Sequence, residues 1–166
     1  MYYLDGSTYS VRVYGADGEV VSSDESVTIT INKKTAIVKT NTEGYAIFTV
    51  SEVPGTYTIT ATYNEYSVSD TVKVKQIINA KKTTNVKKTV KSLKIKSTLK
   101  GKTAYKNKKI TVKFKGKTYK IKTNKKGIAY FKLTKKVIKK LKKGKKYAYT
   151  ITYSKDTLKR YIKIKK

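Results

Sequence analysis

The sequence predicts an all-β chain built of two small sandwich modules in tandem. Three observations carry this: apolar and polar residues alternate with period two through most of the chain, glycines close turns at matching places, and the second half repeats the first. Residues 27–50 (VTITINKKTAIVKTNTEGYAIFTV) align without a gap on residues 110–133 (ITVKFKGKTYKIKTNKKGIAYFKL), a constant offset of 83. Identities include Thr28/Thr111, Lys34/Lys117, Thr40/Thr123, Asn41/Asn124, Gly44/Gly127, Ala46/Ala129 and Phe48/Phe131. Residues 57–63 match residues 147–153 at an offset of 90, so the second copy carries a seven-residue insertion around residues 135–143. The repeat divides the 166 residues into modules at 1–76 and 92–166, joined by a polar, Thr- and Lys-rich linker at 77–91.

Each element follows from local pattern. Taking Asn32-Lys33 and Lys115-Gly116 as two-residue hairpin loops sets Ile29 opposite Ala36, Val27 opposite Val38, Val112 opposite Tyr119 and Ile110 opposite Ile121. These residues then share one face, so the register that satisfies the turn also buries the apolar set. Asn41–Gly44 and Asn124–Gly127 read as four-residue turns closing on a glycine at positive φ, leading into strands at 45–50 and 128–133. Pro54-Gly55 makes the next turn of the first copy. In the second copy residues 134–144 replace it, with Val137, Ile138 and Leu141 on one side of a short helix over 134–143. Thr134 is its expected N-cap and Gly144 its expected C-terminal glycine, and the helix serves as a lid on the sandwich. Alternation places Val11, Val13, Val27, Ile29, Ile31, Val38, Phe48, Ile59, Val72 and Val74 in the first core. The second core takes Leu93, Ile95, Ile110, Val112, Phe114, Ile121, Phe131, Ile151, Ile162 and Ile164.

Composition narrows the chemistry. The net charge of +30 is uneven: residues 1–76 hold six bases against nine acids, whereas residues 77–166 hold 34 bases against one acid, Asp156. Such asymmetry points to a polyanionic partner for the basic half. Only Arg12 and Arg160 are arginines, so that half offers mobile ammonium groups suited to diffuse attraction and not to bidentate readout. No His or Cys occurs, which removes Ser-His-Asp and Cys-His catalysis and zinc sites built on those ligands. The acids of the first copy become Lys100 (from Asp17), Lys102 (Glu19), Asn107 (Asp24), Lys108 (Glu25), Lys126 (Glu43) and Lys155 (Glu65) in the second. Positions that accept either sign read as solvated surface, so no enzyme, cofactor or metal site is expected, the Asp17, Glu19, Asp24 and Glu25 cluster included. The longest apolar runs span a few residues, and no membrane insertion is expected.

The segments at 40–48 and 54–63, and at 116–131, resemble the bacterial-type Ig-like repeats of prokaryotic surface proteins. Within that group they look most like the Lys-, Thr- and Tyr-rich repeats of adhesin-like proteins of methanogenic archaea. The resemblance covers nearly the whole chain except the linker, and it implies two tandem immunoglobulin-like β-sandwich domains, export, cell-surface display and further tandem copies. In a neighbouring Ig-like family a buried acid promotes a Lys-Asn bond. The only acid of the second module, Asp156, falls in a predicted hairpin loop, and the strand at 56–63 lacks the corresponding Glu, so no such cross-link is expected.

The candidate binding residues are the outward lysines of the second module: Lys113, Lys120, Lys122, Lys132, Lys163 and Lys165. Lys113 falls opposite Thr118 and Lys120 opposite Thr111, which keeps like charges from direct cross-strand pairing. Tyr57, Tyr63, Tyr147 and Tyr153 repeat with core parity, whereas Tyr45 and Tyr130, together with Tyr2 and Tyr3 if the terminus is exposed, are the tyrosines free to touch a ligand. The reading is a non-enzymatic, adhesin-like stalk and wall-association unit at the extracellular cell surface. Its expected partners are an anionic cell-wall polymer or acidic glycan, with other surface proteins beside it. The alternative from another class is a nonspecific nucleic-acid-binding protein using the same lysines.

Overall fold

The computed structural model describes residues 1–101 and 105–165, which divide into two compact units, Met1–Lys75 and Gln76–Lys166. The first unit holds β1 (Thr8–Arg12), β2 (Ser26–Ile31), β3 (Lys34–Lys39), β4 (Tyr45–Thr49), β5 (Gly55–Tyr63) and β6 (Tyr66–Val74). They form a four-stranded sheet in the order β3-β2-β5-β6 and a two-stranded sheet β1-β4. The second unit holds β7 (Ile78–Ala80), β8 (Thr83–Val86), β9 (Ser92–Leu99), β10 (Lys109–Phe114), β11 (Lys117–Lys122) and β12 (Ile128–Thr134). After β12 come a short helix α1 (Lys135–Lys139), β13 (Lys146–Tyr153) and β14 (Asp156–Ile164). Its sheets run β11-β10-β13-β14-β8 and β12-β9-β7. Each unit is an immunoglobulin-like β-sandwich with inward residues of both sheets forming its core.

The turns behave as their residues require. Asn32 and Lys33 both take left-handed backbone (φ 50° and 62°), as do Lys115 and Gly116 (φ 47° and 75°), the primed geometry whose twist matches a two-residue hairpin. The pairs Ile29↔Ala36, Val27↔Val38, Val112↔Tyr119 and Ile110↔Ile121 form as expected. Gly44 and Gly127 also have positive φ, and a Cβ on Gly127 would lie 3.1 Å from the Leu99 carbonyl oxygen. Asn41 Oδ1 accepts the N–H groups of Glu43 (3.0 Å) and Tyr45 (2.9 Å), and Asn124 Oδ1 does the same for Lys126 (2.9 Å) and Ile128 (3.1 Å). The repeated buried threonines clamp the loops before them. Thr40 accepts from the Glu25 N–H and donates to the Ser22 carbonyl, while Thr123 accepts from the Lys108 N–H and donates to the Tyr105 carbonyl.

In the cores, no residue of either expected inward set is exposed. Phe131 is buried against Tyr119 (4.8 Å between ring centroids), Tyr149 (6.0 Å) and Phe114 (6.1 Å), bridging the two sheets of the second unit. Its counterpart Phe48 is only half-buried, as are Val11, Val38, Leu93 and Ile121. Val38 and Ile121 lie on the edge strands β3 and β11, where one neighbour is missing. Burial pushes the Tyr149 phenol up to about 12, opposed by Arg160, and among the described residues its hydroxyl finds no hydrogen-bond partner.

Several expectations need correction. Residues 77–91 are not a linker. They carry β7, paired antiparallel with β9, and β8, paired parallel with β14, because Ile77, Ile78, Ala80 and Val86 are apolar enough to be buried in the second unit. Asp156 is not a solvated loop acid but the first residue of β14, 1 % exposed. Its carboxylate accepts the N–H groups of Ile77 (3.0 Å) and Ile78 (3.1 Å) and the Gln76 side-chain amide (3.1 Å). The helix is shorter than expected. Thr134 holds the N-cap position without a side-chain cap bond, and Gly144 lies beyond the helix, donating to the Ile164 carbonyl. Burial of Ile138 and Leu141, not capping, holds that turn against the sandwich. Tyr3, expected to face outward, is buried. Among the described residues no helix is long and apolar enough to cross a membrane.

Candidate functional site: the lysine face of the second unit

The outward face of the five-stranded sheet is set by strand parity. Residues alternate across the sheet, so once Ile110, Val112 and Phe114 point inward, Lys109, Thr111 and Lys113 must point out. Registers extend that face across the neighbours: Lys113 opposes Thr118 and Thr150, Thr111 opposes Lys120, and Thr150 opposes Lys159. Of the six lysines singled out in the sequence, Lys113, Lys120, Lys122 and Lys163 stand exposed on this one face. Lys165 follows β14 with the same parity. Lys132 does not join them, because it lies on β12 of the other sheet, opposite Lys94. The structure adds Lys109, Lys146 and Lys159 to the face. Their parity was readable from the alternation around Ile110, Ile151 and Ile162, but only the strand order shows that they share a face with Lys120 and Lys122.

The expectation that like charges avoid direct pairing holds only in part. Lys113 and Lys120 oppose threonines, but Lys109 opposes Lys122, Lys146 opposes Lys163, and Lys94 opposes Lys132. Such pairs destabilise a sheet by a few tenths of a kcal/mol or more. Solvent exposure keeps that cost small, and the Lys146 ammonium lies 4.2 Å from the Tyr161 ring centroid, a cation–π contact that offsets some of it. Neighbouring strands are about 4.8 Å apart, inside a screening length of about 8 Å at physiological salt. The potentials of these ammonium groups therefore add. No carboxylate stands on this face among the described residues, since Asp156 points inward and is buried.

The remaining candidates are dispersed. Tyr130 is exposed on the three-stranded sheet, whereas Tyr45 is half-buried with the Arg12 guanidinium 5.4 Å from its ring centroid. Tyr57 donates to the Val53 carbonyl, and the Tyr147 hydroxyl accepts the Lys142 N–H. Asp17, Glu19 and Asp24 are exposed, Glu25 accepts from the Tyr63 hydroxyl, and no group of three or more His, Cys, Asp or Glu comes together among the described residues. Lys102, the counterpart of Glu19, lies outside the described residues. Sequence reasoning missed Glu52, a buried carboxylate that accepts from Asn32 Nδ2 (2.8 Å) and Lys34 Nζ (2.6 Å) and pins the first hairpin. Its counterpart is the exposed Lys135, so the repeat concealed it.

No protein-family model matches the chain, and no curated protein matches it. Among solved structures the chain is similar to a Ca²⁺-stabilized adhesin with which an Antarctic bacterium binds ice, at 15% identity and a TM-score of 0.31, over 95% of this chain and 43% of that one. It is similar to invasin, a bacterial integrin-binding protein, at 15% identity and 0.38, over 98% and 37%. It is also similar to domains 4–9 of the surface-layer protein SbsC, at 16% identity and 0.37, over 92% and 24%. The chain spans less than half the length of each. At such identities and overlaps they say nothing of ligand or activity.

Proposed function

We propose that the chain is a non-catalytic pair of surface-displayed, adhesin-like modules, in which the second unit rests against an anionic wall polymer or acidic glycan. The contact is the outward face of its five-stranded sheet. The observation that supports this reading is the gathering of Lys109, Lys113, Lys120, Lys122, Lys146, Lys159 and Lys163 on one face without a carboxylate, two cross-strand lysine pairs included. An anion laid across those pairs relieves their repulsion, so binding and stability are coupled. Extended ammonium groups spread over an open sheet face favour a diffuse, repetitive polyanion over a small ligand. Cell-surface display and kinship with the tandem repeats of methanogen adhesins rest on the sequence resemblance.

The test compares the full chain with a variant carrying all seven lysines as glutamine, on purified anionic wall polymer and on duplex DNA at one ionic strength. The parent is expected to bind the wall polymer more tightly than DNA and to lose affinity steeply with salt. On DNA the log-log slope is about −0.9 per phosphate neutralised. The variant should lose nearly all affinity. Preference for DNA would move the reading to a nucleic-acid-binding protein. Unchanged binding in molar salt, or by the variant, would overturn the role of this face.

A further inference from the structure

We infer that the first unit carries an open slot that receives an extended strand of the same kind as residues 76–85, entering in line with Met1. The two copies share one register. Arg12 opposes Tyr45 as Thr98 opposes Ile128, and the Lys75 N–H donates to the Met1 carbonyl (2.9 Å) as the Lys165 N–H donates to the Val86 carbonyl (2.8 Å). Met1 is thus the counterpart of Val86, the last residue of β8. Residues 76–85 have no counterpart within these 166 residues.

In the second unit that segment closes both sheets. Ile78–Ala80 pairs antiparallel with Ser97–Leu99, and Thr83–Val86 pairs parallel with Tyr161–Ile164. Ile77 and Ile78 are buried between the sheets, and Asp156 accepts both of their N–H groups. In the first unit the matching backbone at Val11, Arg12 and Thr71–Val74 belongs to strands with one neighbour each, β4 for β1 and β5 for β6.

The side chains record the same vacancy. Val68 is 52 % exposed where its counterpart Leu158 is 5 % exposed, and Tyr66 is 84 % exposed where Asp156 is 1 % exposed. A recess of about 210 Å³, lined by Val11, Val13, Val27, Ala61, Tyr66 and Val68, opens between the sheets at the place that Ile77 and Ile78 occupy in the second unit. Two open strand edges around an apolar recess form a template for strand addition, in which main-chain hydrogen bonds supply affinity and alternate side chains fill the recess.

The occupant runs in line with Met1 because the backbone of Met1 to Tyr3 already bonds Lys75 in the parallel direction that β8 takes along β14. The test extends the full chain by a second copy of residues 76–85 placed directly before Met1 and follows amide hydrogen exchange. Exchange at Arg12, Tyr14, Thr71 and Lys73, whose N–H groups face the open edges as those of Lys100 and Tyr161 face the docked segment of the second unit, should slow by roughly tenfold or more relative to the parent chain, with the second unit unchanged. Adding Tyr66→Asp to the extended chain should slow exchange further at the two added isoleucines, whose N–H groups gain the acceptor that Asp156 provides. Changing those two added isoleucines to aspartate should return both edges to parent rates. Unchanged exchange at both edges in the extended chain would overturn the inference. So would equal protection by the aspartate version, which would reduce the effect to that of any tail. A free peptide of residues 76–85 that protects the parent chain as well as the tethered copy would overturn the in-line entry and make the slot a site for another chain.

Discussion

The two units present the same sheet face built from different side chains. Across the four-stranded sheet of the first unit stand Thr28, Thr30, Thr35, Thr58, Thr60, Thr62, Ser67 and Ser69, and their hydroxyls bond across strands, as in Thr60–Ser69 and Thr62–Ser67 at 2.8 Å. Across the matching sheet of the second stand the lysines, with one such hydroxyl pair, Thr152–Thr157 at 3.1 Å. The inward residues keep their places while several outward hydroxyls give way to ammonium groups. A sandwich core thus constrains one side of each strand and leaves the other free to specify what the surface attracts.

The largest difference between the copies should appear in the cores. Phe131→Ala should cost about 3–5 kcal/mol in urea denaturation, because the ring is fully buried among three others. Phe48→Ala should cost about half as much, its ring being half-buried. Equal losses would mean that the first core is packed as tightly as the second.

The next contrast is a single matched position. Asp156→Ala leaves the Ile77 and Ile78 N–H groups buried without an acceptor and should cost about 3 kcal/mol. Tyr66→Ala, at the exposed counterpart, should change stability by under about 0.5 kcal/mol. A small effect at Asp156 would show that the entering segment is held by its isoleucines alone.

Most of the fold was legible in the sequence because both of its signals are local. Alternation fixed the inward sets, and the Asn-Lys and Lys-Gly loops fixed hairpin registers that the structure reproduces pair for pair. The reading failed where long-range partners decide. Residues 77–91 look polar on average, yet Ile77, Ile78, Ala80 and Val86 are enough to dock them once β9 and β14 offer free edges. Asp156 and Glu52 carry no sequence mark of burial, since both bond to residues 18 to 80 positions away. For the lysine face, parity was readable but strand order was not. Lys132 was therefore placed with lysines that lie on the other sheet, and three members of the face were missed.

Smaller effects sharpen the electrostatic contrast. Glu52→Gln keeps the Asn32 contact but removes the ion pair with Lys34, whose side chain is 67% exposed, so it should cost about 1 kcal/mol after solvent screening. Lys135→Gln, at the matching exposed position, should cost nothing measurable. Lys163→Glu replaces a like-charge pair with an attractive one opposite Lys146 and should stabilise the second unit by about 0.2–1 kcal/mol, an effect that salt erases. A loss of stability there would mean that the lysine pair is already neutralised by its surroundings.

The most direct test of the contrast between the faces is an NMR titration of the full chain with an anionic wall polymer at physiological salt, following backbone amides residue by residue. Shifts should concentrate in β10, β11, β13 and β14 around Lys109, Lys113, Lys120, Lys122, Lys146, Lys159 and Lys163, fade as salt rises, and leave the threonine face of the first unit unmoved. Shifts centred on Thr58–Thr62 and Ser67–Ser69, or spread evenly over every lysine of the second unit including Lys94 and Lys132, would contradict it.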